Sequence, residues 1–513
     1  MRSIFHYLPV GAAMLCAPLA LHAQPDASTG CTGTSGSRFN LEPRVNAVVQ
    51  SARSVAFLPN RVAPGVDLVF ASGTDARSLA GSPDAFYAER SNSSCAPDFE
   101  GGPPSISNII DLFVPFGSST VIADPARDQF FMVDLRFGLT TDDNGVGILR
   151  ATATRLLNTA ACPSGTQQAS ASCFSVGAVY NITDLNSFLD NPHIAVDPRT
   201  SGTGAGDVYT VVAQRASGQP ATHISLTACT NAALNCSTSI SISGADTNAD
   251  FPYVQVRPDG AVTVSYVDAT FSTQPDDIKF VTCTPNGAPQ PPTCAAPVLL
   301  TSEMQPVLGD IGDLPILDVV YPRHVNRLES DGQTITTFLV YDRCDVPPVA
   351  QFGAGAAYCP KNDVAITYSS DGGQTWSPVT SVTSSAGQQF FPAIALDAST
   401  STVNIAYYST ENDFFKLKLQ VFLAQIPPGS TTVTPPQLLT TGAADVGAGP
   451  PASSSLSLSE NNNFGDRLGL AAAGSGASGG SRAYVGFTWN SVPAVYAGAI
   501  SADVNNHLTL FSY

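Results

Sequence analysis

The sequence predicts an all-β fold built from repeated units. Three observations carry that reading: a composition of low charge and many turn formers, a strand-turn-strand pattern that returns about seven times, and one eight-residue turn sequence, Ser369-Ser370-Asp371-Gly372-Gly373-Gln374-Thr375-Trp376. Only 12% of the 513 residues are charged, while 42 glycines and 39 prolines accompany abundant Ser, Thr, Val and Ala, as expected of short strands joined by turns.

At the N-terminus, Arg2 precedes an apolar run from Tyr7 to Leu21 that ends Leu21-His22-Ala23, the pattern of a secretory signal peptide cleaved near Ala23. Residues 1–23 are therefore read as a leader and the mature protein as secreted, to a periplasm or the cell exterior. A lipid anchor on Cys16 fits less well, because Leu15 is bulky where small residues are expected. No later segment approaches the roughly 18 consecutive apolar residues that a spanning helix needs. Residues 24–39 are expected to be a flexible lead-in, and residues 40–513 one repeat domain.

Of 11 cysteines, Cys16 lies in the leader, which leaves ten in an oxidising compartment. Their order suggests pairing of neighbours: Cys31 with Cys95, Cys162 with Cys173, Cys229 with Cys236, Cys283 with Cys294, and Cys344 with Cys359. Zinc is a poor alternative, since no Cys-x-x-Cys pair is present and the six histidines are scattered.

The repeat begins with an apolar strand often opened by Pro, then an Asp, Pro or Gly turn and a second apolar strand. Its clearest copy runs Pro192-His193-Ile194-Ala195-Val196-Asp197-Pro198 and, after a glycine-rich turn, Asp207 to Val212. Pro252 to Tyr266 and Pro392 to Tyr408 are further copies, and weaker ones start near Pro43, Thr120, Pro315 and Phe464. The starts lie about 60 to 77 residues apart, a spacing that suits four-stranded units with loop insertions.

In the octet, Asp371 can accept backbone N–H bonds across a tight turn, Gly372 and Gly373 can supply positive φ, and Trp376 can pack beneath the hairpin. Val364 to Tyr368 alternates into the turn and Val379 to Val382 leads out, as two antiparallel strands would. Three cysteine pairs occupy the equivalent place in other repeats, so disulfides are expected to replace this side-chain staple there. Residues 427–463, rich in Pro, Thr, Ser and Gly, read as a surface insertion.

Ser369, Asp371, Gly373, Thr375 and Trp376 match the Asp box, and the chain over residues 40–513 resembles the sialidase superfamily of Asp-box (BNR-repeat) β-propellers, secreted bacterial type. Phe464-Gly465-Asp466-Arg467-Leu468-Gly469-Leu470-Ala471 is similar to a stretch common in secreted members. The resemblance implies radial blades around a channel, with ligand bound at one mouth. The repeat count favours about seven four-stranded blades, whereas sialidases have six.

Sialidase chemistry, as the resemblance implies it, needs three arginines for the substrate carboxylate, a Tyr nucleophile activated by Glu, and an Asp acid/base. The Phe/Tyr-Arg-Ile/Leu-Pro signature is missing, and Glu42-Pro43-Arg44 and Tyr321-Pro322-Arg323 share only fragments of it. Arg44, Arg323 and Arg467 lie near repeat starts and are the candidates for such a triad; no nucleophile can be assigned among Tyr266, Tyr341 and Tyr407. If the repeat starts line one mouth, Glu42, Asp190, Asn191, Asp250, Asp313 and Asp466 stand beside it. Such an acidic mouth suits a hydroxyl-rich neutral ligand or a cation and opposes a sialic acid carboxylate.

Asp246 to Asp250 and Asp142 to Gly145 are acidic turns with a partial likeness to calcium loops, but neither has a bidentate Glu at the expected distance, so polar turns are expected and no cofactor is assigned. The net charge of −18 argues against nucleic acid and anionic lipid. The sequence thus leads to a non-catalytic propeller that binds a glycan or an extracellular protein, with a glycoside hydrolase of diverged site as the alternative.

Overall fold

Seven inner strands meet side by side around one axis in the computed structural model of the protein. It describes residues 37–40 and 50–512, apart from 65, 76–83, 90–98, 102, 108–110, 141–142, 163–170, 185–186, 270–274, 304–319, 345–348, 351–356, 359–360, 414–417, 441–443, 446–467, 475–480 and 497–498. The inner strands are Gln50–Ala63, Leu112–Asp124, Phe188–Val196, Ala249–Val256, Arg323–Leu328, Gln389–Asp397 and Gly469–Gly474. Each touches the next in chain order, and Gly469–Gly474 returns to touch Gln50–Ala63. The ring is closed.

Each inner strand leads into an antiparallel sheet of four or five strands that extends away from the axis, and in the second sheet Ile106–Ser107 also pairs with the other edge of Leu112–Asp124. The third sheet shows the plan: Phe188–Val196, Val208–Arg215, His223–Cys229 and Ile240–Ser241, paired in that order. The last sheet departs from it. Its first three strands are Gly469–Gly474, Ser481–Tyr496 and Ala499–Ser512, but its outer strand is Ser37–Asn40, in register with His507 to Leu510. Residues 37–39, expected in the flexible lead-in, are therefore part of the ring closure; that pairing joins residues more than 460 positions apart and leaves no local trace. The expected insertion at 427–463 also contributes structure, since Gln437–Leu438 and Ala444–Asp445 both pair with Lys418–Ile426.

Apolar side chains fill the spaces between consecutive sheets. On Gln129–Gly138, Phe130 and Met132 pack with Leu58 and Phe70 of the sheet before, while Phe131 and Val133 pack with Ile194 and Val208 of the sheet after. Side chains alternate across a strand, so a strand covered on both faces reads as an unbroken apolar run. Full burial of each such side chain contributes about 1.5–3 kcal/mol. The last interface, between the seventh and first sheets, adds polar ties: Arg482 Nη1 and Tyr484 Oη donate to the buried Asp67 at 2.7 and 2.9 Å.

We call the end of the axis where inner strands begin the upper end, and the end where they turn into second strands the lower end. The lower turns are clamped from sheet to sheet. Arg127 pairs with Asp124 and donates to the carbonyls of Asp197 and Arg199 in the next sheet; Arg199 pairs with Asp197 and donates to the carbonyl of Asp259 in the one after. Asp124 and Asp197 are fully buried, so loss of either arginine would leave an uncompensated carboxylate, a change that costs about 3–5 kcal/mol.

The turns between third and fourth strands also lie at the lower end. Three carry disulfides, Cys162–Cys173, Cys229–Cys236 and Cys283–Cys294, closing loops of 11, 7 and 11 residues; each such closure contributes about 2–3 kcal/mol in the chain-entropy account. Cys344 is disulfide-bonded as well, whereas residues 31, 95 and 359 lie outside the described residues.

In the fifth sheet the same turn is the Ser369 to Trp376 octet. Asp371 Oδ1 accepts from the amides of Gln374 and Thr375 at 3.0 Å each, and Oδ2 accepts from Thr375 Oγ1 at 2.5 Å. Ser369 Oγ donates to Asp371 and accepts from the Gly373 amide, and Trp376 Nε1 donates to the Gly373 carbonyl. Gly373 sits at φ 89°, and a Cβ there would run into the Phe280 ring of the neighbouring sheet. Trp376 meets that ring edge-on at 5.2 Å.

The bonds from Thr375 hold the Asp371 carboxyl down at about 2. Because the folded value is depressed, the turn's stabilisation is complete above the ordinary carboxylate range near 3.8 and is lost as pH falls toward 2. Amide-exchange protection at Gln374 and Thr375 is expected to persist at pH 4 and to vanish in Asp371→Ala. Loss of protection in the native chain already at pH 5 would contradict this account.

Candidate functional site

The upper ends of the inner strands carry a recurring irregularity. In the third, fourth and sixth sheets the register shifts between Asp190 and His193, Asp250 and Tyr253, and Phe390 and Ala393. At each shift a residue before proline is left-handed: Asn191 at φ 53°, Phe251 at 51° and Phe391 at 54°. Such a conformation costs about 1–3 kcal/mol per residue and needs outside support. A carboxylate gives it each time. Asp190 accepts from the Asn191 amide and Asp250 from the Phe251 amide, both at 2.7 Å, and Asp342 of the fifth sheet accepts from the Phe391 amide at 3.0 Å. A bulge re-aims the residue that follows it.

The re-aimed residues form a throat on the axis. His193 and Tyr253 stack with ring centroids 3.9 Å apart, and Ser54, Thr120, Tyr321, Arg323 and Leu470 complete a space of about 40 Å³. His193 Nδ1 accepts from the Val254 amide, which leaves the proton of the neutral ring on Nε2. Arg323 is buried, donates to the Leu468 carbonyl at 2.5 Å and lies 4.9 Å from the Tyr321 ring centre. Burial raises the Asp342 carboxyl well above the usual range, although Arg323 opposes the shift.

A chain of contacts crosses three sheets here. Asn191 Nδ2 donates to Asp250 at 2.9 Å, Phe251 meets Tyr321 at 5.5 Å, and Tyr321 carries Arg323. Of the residues singled out from the sequence, Asp190, Asn191, Asp250 and Arg323 are thus brought together; Glu42, Arg44, Asp313, Asp466 and Arg467 lie outside the described residues. The acidic members serve backbone amides, and Asp250 also accepts from the Asn191 side chain. Phe251, Tyr253, Tyr321 and Asp342 were not anticipated. The proline that opens several repeats was the available signal for Tyr253, which follows it; Asp342 sits mid-strand in an apolar run and has no such mark.

Below the throat the axis widens to a cavity of about 800 Å³ that reaches the lower turns. Its lining is largely aliphatic, with Arg199, Arg327 and Asp397 toward the lower end. Arg327 pairs with Glu329 and donates to the carbonyls of Pro427 and Ser430.

Other polar groups lie between sheets. Tyr341 Oη donates to Glu303 at 2.7 Å, but Tyr341 is fully buried among Ile278, Leu339 and Ala365, away from the axis. Asp246, from the acidic turn weighed for calcium, accepts from Tyr266 Oη and Lys279 Nζ, and Asp250 is taken by Asn191 and Phe251.

No family model and no curated protein sequence matches the chain. Similar solved structures include a protein of unknown function from Dyadobacter fermentans, 10% identical over 77% of this chain and 94% of that one, with a TM-score of 0.40. The Hadza microbial sialidase Hz136 is 8% identical over 90% of this chain and 65% of that one, at 0.38, and the polysaccharide lyase Uly1 is 12% identical over 90% of both, at 0.42. Scores this low carry no argument about activity. The closed ring of inner strands decides the fold. It is a β-propeller.

His324, beside the throat, gives the propeller a pH dependence. Its ring nitrogens contact Thr263 Oγ1 and Ser265 Oγ at 2.9 Å each, and burial pushes its pKa down to about 3 from the ordinary 6.5. The folded state therefore binds fewer protons than the unfolded state between these values, and stability falls as pH drops below 6.5. The expected loss is about 2 kcal/mol at pH 5. Denaturant titrations from pH 7 to 5 should show that slope and show it flattened in His324→Gln; equal slopes would refute the assignment.

Proposed function

We propose that the protein is a secreted propeller of seven four-stranded blades that binds a neutral glycan, free or carried on an extracellular protein, at the upper end of its axis without turning it over. The observation that carries this reading is the contiguous cluster of Asp190, Asn191, Asp250, Phe251 and Tyr321 across three sheets. A sialic acid carboxylate would meet these acids and a chain of net charge −18. The disulfides fit an oxidising compartment, and no helix among the described residues is long and apolar enough to cross a membrane. The seven sheets in one closed ring support the blade count.

The hydrolytic alternative has one observation in its favour, the Tyr341–Glu303 hydrogen bond, which has the residue types of a sialidase nucleophile and its base. Burial raises the Tyr341 hydroxyl far above its ordinary pKa, with Glu303 adding to the shift. An activated nucleophile needs the opposite.

Glycan-array binding run beside sugar release from sialosides and neutral glycosides tests the proposal. Binding to neutral glycans without turnover is expected, weakened roughly tenfold in Phe251→Ala. Release of sugar by the native chain, lost in Tyr341→Phe, would establish the hydrolase instead.

A further inference from the structure

We infer that the lower cavity is a second binding site, specific for a neutral and mainly aliphatic small molecule. It does not depend on the glycan reading, because it lies on the other side of the throat and shares none of the cluster proposed there.

Shape comes first. The throat, with His193 stacked on Tyr253 and room for only about 40 Å³, forms the floor, so the space below is a cup rather than an open pore. Its volume of about 800 Å³ falls in the range of small-molecule sites and is too small for a folded partner. Chemistry comes second. Ile122, Val256, Leu396, Leu470 and Ala472 line the cup, where each packs on one side against an apolar cluster between sheets yet stays only partly buried. Apolar surface left in contact with water is what an aliphatic ligand would cover.

Charge decides the ligand's class. Arg199 is engaged by Asp197 and by the carbonyls of Thr203 and Asp259, and Arg327 by Glu329 and the carbonyls of Pro427 and Ser430. Asp397 accepts from the amides of Ser399 and Thr400 and from Ser399 Oγ. An anionic head group at the rim would have to displace an existing partner of Arg199 or Arg327, and a cationic one would face both guanidinium groups. A hydroxyl or carbonyl head can be met by the Ser401 hydroxyl, which also lines the cup, without breaking an ion pair.

Displacement of the neutral fluorophore N-phenyl-1-naphthylamine from the full mature chain by straight-chain primary alcohols of six to twelve carbons tests this. Affinity should rise about fourfold per added methylene, as burial of CH₂ groups requires, until the cup is filled. Decanoate and decyltrimethylammonium should bind at least tenfold more weakly than decanol. Ala472→Trp, which intrudes on the cup, should weaken displacement, while Phe251→Ala at the upper end should leave it unchanged. Absence of a length dependence in the native chain would overturn the proposal without any appeal to a variant. Equal binding of the charged and neutral decyl compounds would overturn it too, as would unchanged binding in an Ala472→Trp protein that still unfolds cooperatively.

Discussion

Packing of inner strands around the axis is the constraint on which everything else rests, because a ring of sheets has no stable form with one place unfilled. Six of the seven interfaces are closed by apolar clusters between sheets that follow one another along the chain. The seventh must join the two ends of the chain. There Ser37–Asn40 completes the sheet begun by the C-terminal strands, and Arg482 and Tyr484 reach the buried Asp67. The ring is thus fastened by backbone pairing at its rim and by a buried carboxylate within.

The two ends of the axis solve different problems. At the lower end the chain reverses direction in every sheet, and in the third and fourth sheets carbonyls of that turn accept from Arg127 and Arg199 of the sheet before, each paired with its own aspartate. Disulfides and the Asp371 turn fix the outer hairpins on the same side. This end is therefore held by ion pairs, disulfides and a hydrogen-bonded turn. At the upper end the backbone is strained at Asn191, Phe251 and Phe391, and acidic side chains are spent on holding the strain. The strain narrows the axis to the His193–Tyr253 throat and gathers aromatic and acidic groups from separate repeats.

Arg323 has the residue type of a sialidase triad but other commitments. It stands at a repeat start, yet it is committed to the Leu468 carbonyl and the Tyr321 ring. The same holds for Tyr341 and Glu303, which meet at hydrogen-bond distance but between two sheets. In both cases the residue type suits catalysis and the surroundings assign it to packing.

How much was legible in the sequence follows from the range of the interactions concerned. Alternation of side chains, turn formers and the Asp371 octet act within about ten residues, so strands, hairpins and the position of each disulfide-bearing turn could be read directly. The repeat starts also marked Asp190, Asp250 and Arg323. Asp342 was hidden because its partner, the Phe391 amide, lies 49 residues away. The role of residues 37–39 was hidden because their partners lie at the other end of the chain. The sequence by itself determined the repeating β unit and its staples, since those depend on neighbours along the backbone. Tertiary structure alone decided the closure of the ring, the throat and the cup, because each is made of single residues contributed by strands that meet only once the ring has formed.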